Sequence, residues 1–250
     1  MWDDPIIAAL FTPATLGMLW LGGFLGAVAS GGAGFAFALA SASIWLHVFD
    51  PVHTAVLVLV CSTLLQLGTI APLIPHIQAK RLWPFLAGGL AGIPLGVVLL
   101  TYTNPGTLKI AIGTFLAAFG LYVLLAPKLP VIAAGGRTAD AAVGFAGGIL
   151  GGLGGYSGVL PTIWTQFRGW PKSEARAVYQ PFIIVVQIAT MVVLGVAALD
   201  KVGILLLIAV LPALFVGGWA GWRLYGHLDE RRFRQFLALL LVVSGVTLVF

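Results

Sequence analysis

Six stretches of this chain, about 53–75, 82–101, 107–126, 175–197, 202–222 and 232–250, run 19 to 23 residues almost without charge. At about 1.5 Å of rise per residue, each is long enough to cross roughly 30 Å of hydrocarbon as a helix. A membrane β-barrel would instead show alternating segments of about ten residues. The chain is therefore expected to be an all-α polytopic membrane protein. Composition agrees: 60% of the 250 residues are hydrophobic and 8% charged, against about 25% charged in soluble domains.

The sequence pI near 9.7 could suggest nucleic acid as a partner. The basic residues, however, fall in short clusters between apolar spans, which is how cytoplasmic loops are marked. A lipid bilayer is expected, and no nucleic acid. Cys61 is the single cysteine, so neither a disulfide framework nor a metal set is expected. The start "MWDDPIIAALF" lacks the basic n-region of a secretory leader, so no cleaved leader is expected. A bacterial inner membrane is the natural location. No P-loop, HExxH, GxSxG or CxxC stands out; neither an enzyme nor a cofactor is expected.

Helix starts are signalled at Asp50-Pro51, Asn104-Pro105, Ser173-Glu174, Asp200 and Asp229-Glu230. Two further segments, about 14–49 and 139–169, are too long for one crossing. Each is broken by glycines, "SGGAGF" in the first and "GGLGGYSG" in the second. With arms of about 15 residues, each reads as a re-entrant hairpin that enters and leaves on one side. Two short crossings would have the same parity; arm length and glycine favour the hairpin.

The halves are related. A shift of 121 places Phe24 on Phe145, Gly26 on Gly147, Gly34 on Gly155 and Phe35 on Tyr156. A shift of 120 places Pro51 on Pro171 and Ala55 on Ala175, and the 121 shift resumes with Gln66 on Gln187 and Gly96 on Gly217. The expected organisation is a first repeat over 1–126, a linker over 127–138 and a second repeat over 139–250. Each repeat is a glycine-broken hairpin followed by three transmembrane helices. With this parity the second repeat is inverted relative to the first. Lys80, Arg81, Lys128, Arg137, Arg168, Lys172, Arg176, Arg223, Arg231, Arg232 and Arg234 then share one side, leaving Lys109 and Lys201 on the other. If each glycine-broken segment crossed once, the split would be five against eight. The bias makes the rich side cytoplasmic and puts both termini outside.

A helix broken at membrane depth must have its freed backbone groups met by protein, water or ligand. The second arm of each hairpin begins near Phe35 or Tyr156, so its unpaired N–H groups and positive dipole end point at the tip. Glycine lets a ligand approach the backbone. Inversion brings the two tips together, which suits a small anion. The candidate contacts are Ser30, Gly31, Gly32, Gly34 and Phe35 in the first tip, and Gly154, Gly155, Tyr156, Ser157 and Gly158 in the second. Mid-span Ser62, Thr63, Gln66, Gln180 and Gln187 are candidates too, with interhelical gluing as the alternative for the glutamines. Close helix packing is the alternative for the glycines. His47, His53, His76 and His227 lie near span ends. Trp45, Trp83, Trp164, Trp170, Trp219 and Trp222 fit interfacial belts.

"GGFLGAVASGGAGFAFA" and "HIQAKRLWPFLAGGLAGIPLGVVLL" are similar to the first half of TauE/SafE proteins. "GGILGGLGGYSGVLPTIWTQFRGWPKSEARAVYQPF" resembles the second half, most specifically in its Gly-x-Ser-Gly turn and its Arg-Gly-x-Pro-Lys-x-x-Ala-Arg run. The resemblance implies a secondary transporter of sulfite, organosulfonates or related anions, commonly an exporter, with proton and sodium both open as coupling ion. Tyr156, Ser157 and Gly158 hold the family's turn positions and Arg168, Lys172 and Arg176 its basic ones; by their place in the chain those three are expected to serve topology, with attraction of anions to a cytoplasmic vestibule as the other reading. The first repeat departs from the pattern at Ala33, which interrupts the glycine run, and at Phe37, where a smaller residue is expected. A passive anion channel of the same architecture and a non-transporting scaffold are the alternative functions.

Overall fold

The computed structural model describes residues 12–125, 131–132, 135–194, 200–225 and scattered positions from 235 to 249. The described residues form helices and connecting turns, with no strand among them. Among the described residues, six helices are long and apolar enough to cross a membrane. The protein is an integral membrane protein.

Helix α1 (Pro13–Ala33) is capped by Thr12, whose side chain accepts from the Thr15 N–H. It stops at Gly34, which adopts a left-handed conformation (φ 76°) and returns its N–H to the Ser30 carbonyl at 2.7 Å. The chain then folds back as α2 (Phe37–Trp45). Phe37 and Ser41 lie over Gly26, and Trp45 lies over Gly22 and donates to the Leu19 carbonyl at 3.1 Å. Helix α3 (Pro51–Thr69) follows, capped by Asp50, which accepts from the Val52 and His53 N–H groups at 2.9 and 3.1 Å. It ends sooner than the apolar run predicts. Pro72 and Pro75 cannot continue an α-helix, and a 3-10 turn over Ala71–His76 takes its place. Helices α4 (Ala79–Tyr102) and α5 (Pro105–Leu125) complete the first half.

The second half repeats this order. Helix α6 (Gly136–Gly154) ends at left-handed Gly155 (φ 80°), and α7 (Val159–Phe167) is the short second arm. Helices α8 (Lys172–Leu194) and α9 (Lys201–Tyr225) follow. Of the expected span 232–250, the described residues are helical, and Gly245 lies against the α5 backbone at Gly113 and Ala117. The expected start at Asp229-Glu230 and His227 lie outside the described residues. Asn104 and Asp200 accept from backbone N–H groups of the helices they precede, at 2.8 and 2.7 Å. Ser173 and Glu174 fall inside the first turn of α8 rather than before it.

The hairpin arms are unequal, which corrects the expected 15 residues each. The first arms have 21 and 19 residues and the second arms nine each. The glycine runs are not themselves the turns: Gly31, Gly32, Gly151, Gly152 and Gly154 remain helical, and one glycine per run takes positive φ. At 21 residues α1 spans about 31 Å, enough for a crossing by itself.

The helical glycines serve close packing instead. Gly88, Gly92 and Gly96 of α4 face the carbonyls of Ala141, Phe145 and Ile149 on α6, and Gly144, Gly148 and Gly152 face those of Phe85, Gly89 and Ile93. A Cβ at any of the six would sit 1.9 to 2.7 Å from carbonyl oxygen. On α9, Gly217 and Gly221 meet the Phe24 and Val28 carbonyls of α1 in the same manner. Among the described residues the α4–α6 and α9–α1 pairs are the most extensive, and each joins one half to the other. In both, the two helices run parallel, whereas α3 and α8 run antiparallel, with Gln187 beside Ser62 and Gln180 beside Thr69.

Candidate anion site

The two breaks meet. A Cβ added at Gly158 would lie 2.8 Å from the Phe35 Cβ and 2.5 Å from Ile183, the twelfth residue of α8. The first tip reaches this level: the Gln66 amide donates to the Gly34 carbonyl, and Gln66 is the sixteenth residue of α3, about 24 Å from its start. The second tip comes from the other end. Gly155 abuts Val58 and Leu59, eighth and ninth in α3, about 12 Å from that start. The contacts of the two turn glycines correspond. Gly34 lies against Tyr179 and Gly155 against Val58, pairs separated by the same 121 residues that relate the sequence halves.

Neither short arm is capped. The Ala36 and Gly158 N-caps make no side-chain hydrogen bond to the turns they open, unlike Thr12, Asp50 and Asp200 at outer helix ends. Two helix N-termini thus face the junction of the tips with donors that no capping side chain satisfies. Two positions before α7, the Ser157 hydroxyl is fully buried and has no hydrogen-bond partner among the described residues; a Cβ at Gly151 of α6 would lie 3.0 Å from the Ser157 Cβ. Thr162, one turn into α7, is likewise buried and unpartnered. A buried hydroxyl without a partner costs about 1–3 kcal/mol.

Other predicted residues divide cleanly. Ser62, Thr63 and Gln187 satisfy one another: the Thr63 hydroxyl donates to Gln187 Oε1 and Gln187 Nε2 donates to Ser62 Oγ, both at 3.0 Å. They tie α3 to α8, the gluing alternative. Gln180 Nε2 donates to Thr69 Oγ1 at 2.7 Å and to the Gln66 carbonyl at 3.3 Å. Ser30 contributes the carbonyl that closes the Gly34 turn, and buried Tyr156 covers Gly154. Phe37, out of pattern in the sequence, packs on Gly26 and edge-on to Trp45 at 5.9 Å within the hairpin.

The three basic positions separate. Arg176 is fifth in α8 and reaches the first tip: a Cβ at Gly34 would lie 3.4 Å from its Nε and 3.5 Å from its Nη2. Arg168 instead lies 3.9 Å from buried Asp140 and over the Trp170 ring. Lys172 opens α8.

Sequence reasoning missed several partners. Asp140 accepts from Trp164 Nε1 at 2.7 Å, Arg81 pairs with Glu174, and Trp170 lies between the Arg81 and Arg168 guanidiniums. Trp45, fully buried, is thus a core residue rather than a belt residue. The cluster around Trp170 gathers the loops around 81, 132 and 168–174 at one end of the molecule; the Ile132 N–H bonds the Phe167 carbonyl at 2.6 Å. At the opposite end His53 bridges Asp50 and Asp200, with Nε2 3.2 Å from Asp200 Oδ1. Burial pushes the Asp50 carboxyl up, but the hydrogen bond and charge of His53, with the His53 and Val52 N–H groups, outweigh it and hold its pKa below the ordinary carboxylate range.

The family model described as Sulfite exporter TauE/SafE matches residues 19–248. No curated protein and no solved structure matches the chain.

Proposed function

The chain belongs to the sulfite exporter TauE/SafE family, a family of membrane transporters, and on that premise we propose that it carries small sulfur-containing anions such as sulfite or organosulfonates through a site between the two hairpin tips. The anion binds in the middle of the membrane at the paired N-termini of α2 and α7, held by backbone N–H groups and the Ser157 hydroxyl. The observation that carries the reading is Ser157, buried and without a partner among the described residues beside the uncapped start of α7, whose N-cap Gly158 meets Phe35 at the opening of α2.

In this reading the halves are inverted repeats, 1–126 and 139–250 about the linker 127–138, and each hairpin is re-entrant. Support comes from the antiparallel α3–α8 pair, from the reciprocal α4–α6 and α9–α1 packing, and from the matching contacts of Gly34 and Gly155. The basic end faces the cytoplasm of a bacterial inner membrane and both termini lie outside. Transport proceeds by rocking of one repeat against the other around the fixed site.

Purified protein in liposomes tests this. Wild type should exchange radiolabelled sulfite against internal sulfite, with saturation and counterflow. Ser157→Ala should lose most of that flux while melting no lower than wild type, because it removes an unpartnered hydroxyl. Absence of sulfite and sulfonate flux under any ion gradient would refute the reading.

A further inference from the structure

The two tips differ in charge. Tyr179, against Gly34, and Val58, against Gly155, occupy corresponding places on α8 and α3. Around Tyr179 the neighbouring positions on α8 are Arg176 and Gln180, whereas 121 residues earlier α3 carries Ala55 and Leu59. The second tip therefore rests on hydrocarbon and the first on a cation and an amide. Arg176 Nε donates to Gln180 Oε1 at 3.1 Å. Among the described residues no carboxylate lies within ion-pair distance of Arg176, and Glu174, two positions away, is taken by Arg81. A half-buried guanidinium without a counter-charge is costly inside a membrane protein. Orientation of the chain does not require it there, since an exposed positive charge such as Lys80 at the start of α4 serves that purpose equally well. The missing Cβ of Gly34 leaves its guanidinium edge open to the tip.

We propose that Arg176 is the charge-selecting residue of the anion site, its guanidinium engaging the anion's oxygens on the α8 side of the Gly34 turn. The proposal rests on the transporter reading above. Helix N-termini and a hydroxyl supply donors to neutral and charged solutes alike; a fixed guanidinium adds a full charge and a forked pair of donors matched to an oxyanion. It also makes the site lopsided, with its positive charge toward the basic end of the molecule, so an anion arriving from that end meets the cation first.

The test is sulfite counterflow in proteoliposomes for wild type, Arg176→Gln, Arg176→Lys and Lys80→Gln, with a melting curve for each. Arg176→Gln should raise the KM for sulfite about tenfold or more, with maximal rate and melting temperature little changed. Arg176→Lys should recover part of the loss, and Lys80→Gln, at an exposed position in the first turn of α4, should leave KM unchanged. An unchanged KM in Arg176→Gln overturns the proposal, as does an equal loss in Lys80→Gln, which would assign the effect to the long-range field. Should Arg176→Gln not fold, Arg176→Lys decides by itself: a KM raised severalfold supports the proposal and a wild-type KM overturns it. Wild type without sulfite flux would refute the transporter reading, and this assignment with it; wild-type flux with indifferent Arg176 variants would refute this assignment alone.

Discussion

At Gly34 and Gly155 the backbone enters a region that costs a side-chain-bearing residue about 1–2 kcal/mol. The two sites differ in what surrounds them. A Cβ at Gly34 would find Arg176 and Tyr179 at ordinary contact distance, 3.4 to 3.5 Å, whereas one at Gly155 would overlap the Val58 side chain at 2.6 Å. Gly155→Ala should therefore lower the melting temperature more than Gly34→Ala, which carries the backbone strain alone. Equal melting temperatures in detergent would contradict that order. Both breaks are legible in the sequence, because each glycine cluster lies inside an apolar run too long for one crossing. Which glycine turns is not, since helical and left-handed glycines look alike on the page. Arg176 was legible as a basic position but not as part of a tip, because its reach depends on where the Gly34 turn meets α8.

Among elements, α4 and α6 form the tightest seam, built on glycines four residues apart on both helices. Without a hydrophobic drive between helices in lipid, such close backbone approach supplies much of the cohesion. Gly148→Val, whose Cβ would lie 2.0 Å from the Gly89 carbonyl oxygen, should abolish the folded protein or lower its melting temperature sharply. Gly68→Ala, with nothing within 4 Å, should be neutral or slightly stabilising, since alanine is the better helix former by about 1 kcal/mol. Size-exclusion profiles and melting curves of the two variants check this; a Gly148→Val protein as stable as wild type would contradict the seam. The long apolar elements could be read from length alone, and three of the expected caps, Asp50, Asn104 and Asp200, act on their helices. The unequal hairpin arms could not be read, because the α4-facing glycines of α6 mimic turn residues. The early end of α3 was available in Pro72 and Pro75, and apolar length masked it.

For the whole molecule, charge placed the loops around 81, 132 and 168–174 on one side, and the structure gathers them at one end, with Asp50, His53 and Asp200 at the other. The inter-half contacts were beyond a single sequence. The Ser62–Thr63–Gln187 triad and the Phe35–Gly158 junction exist only once the two halves interleave. That junction holds the proposed transport site, and it can be examined directly with selenite, a heavier analogue of sulfite. Anomalous scattering from selenite-soaked crystals should give a peak within hydrogen-bond reach of Ser157 Oγ and of the N–H groups that open α2 and α7. Selenium confined to the protein surface in crystals of transport-competent protein would contradict a site between the tips.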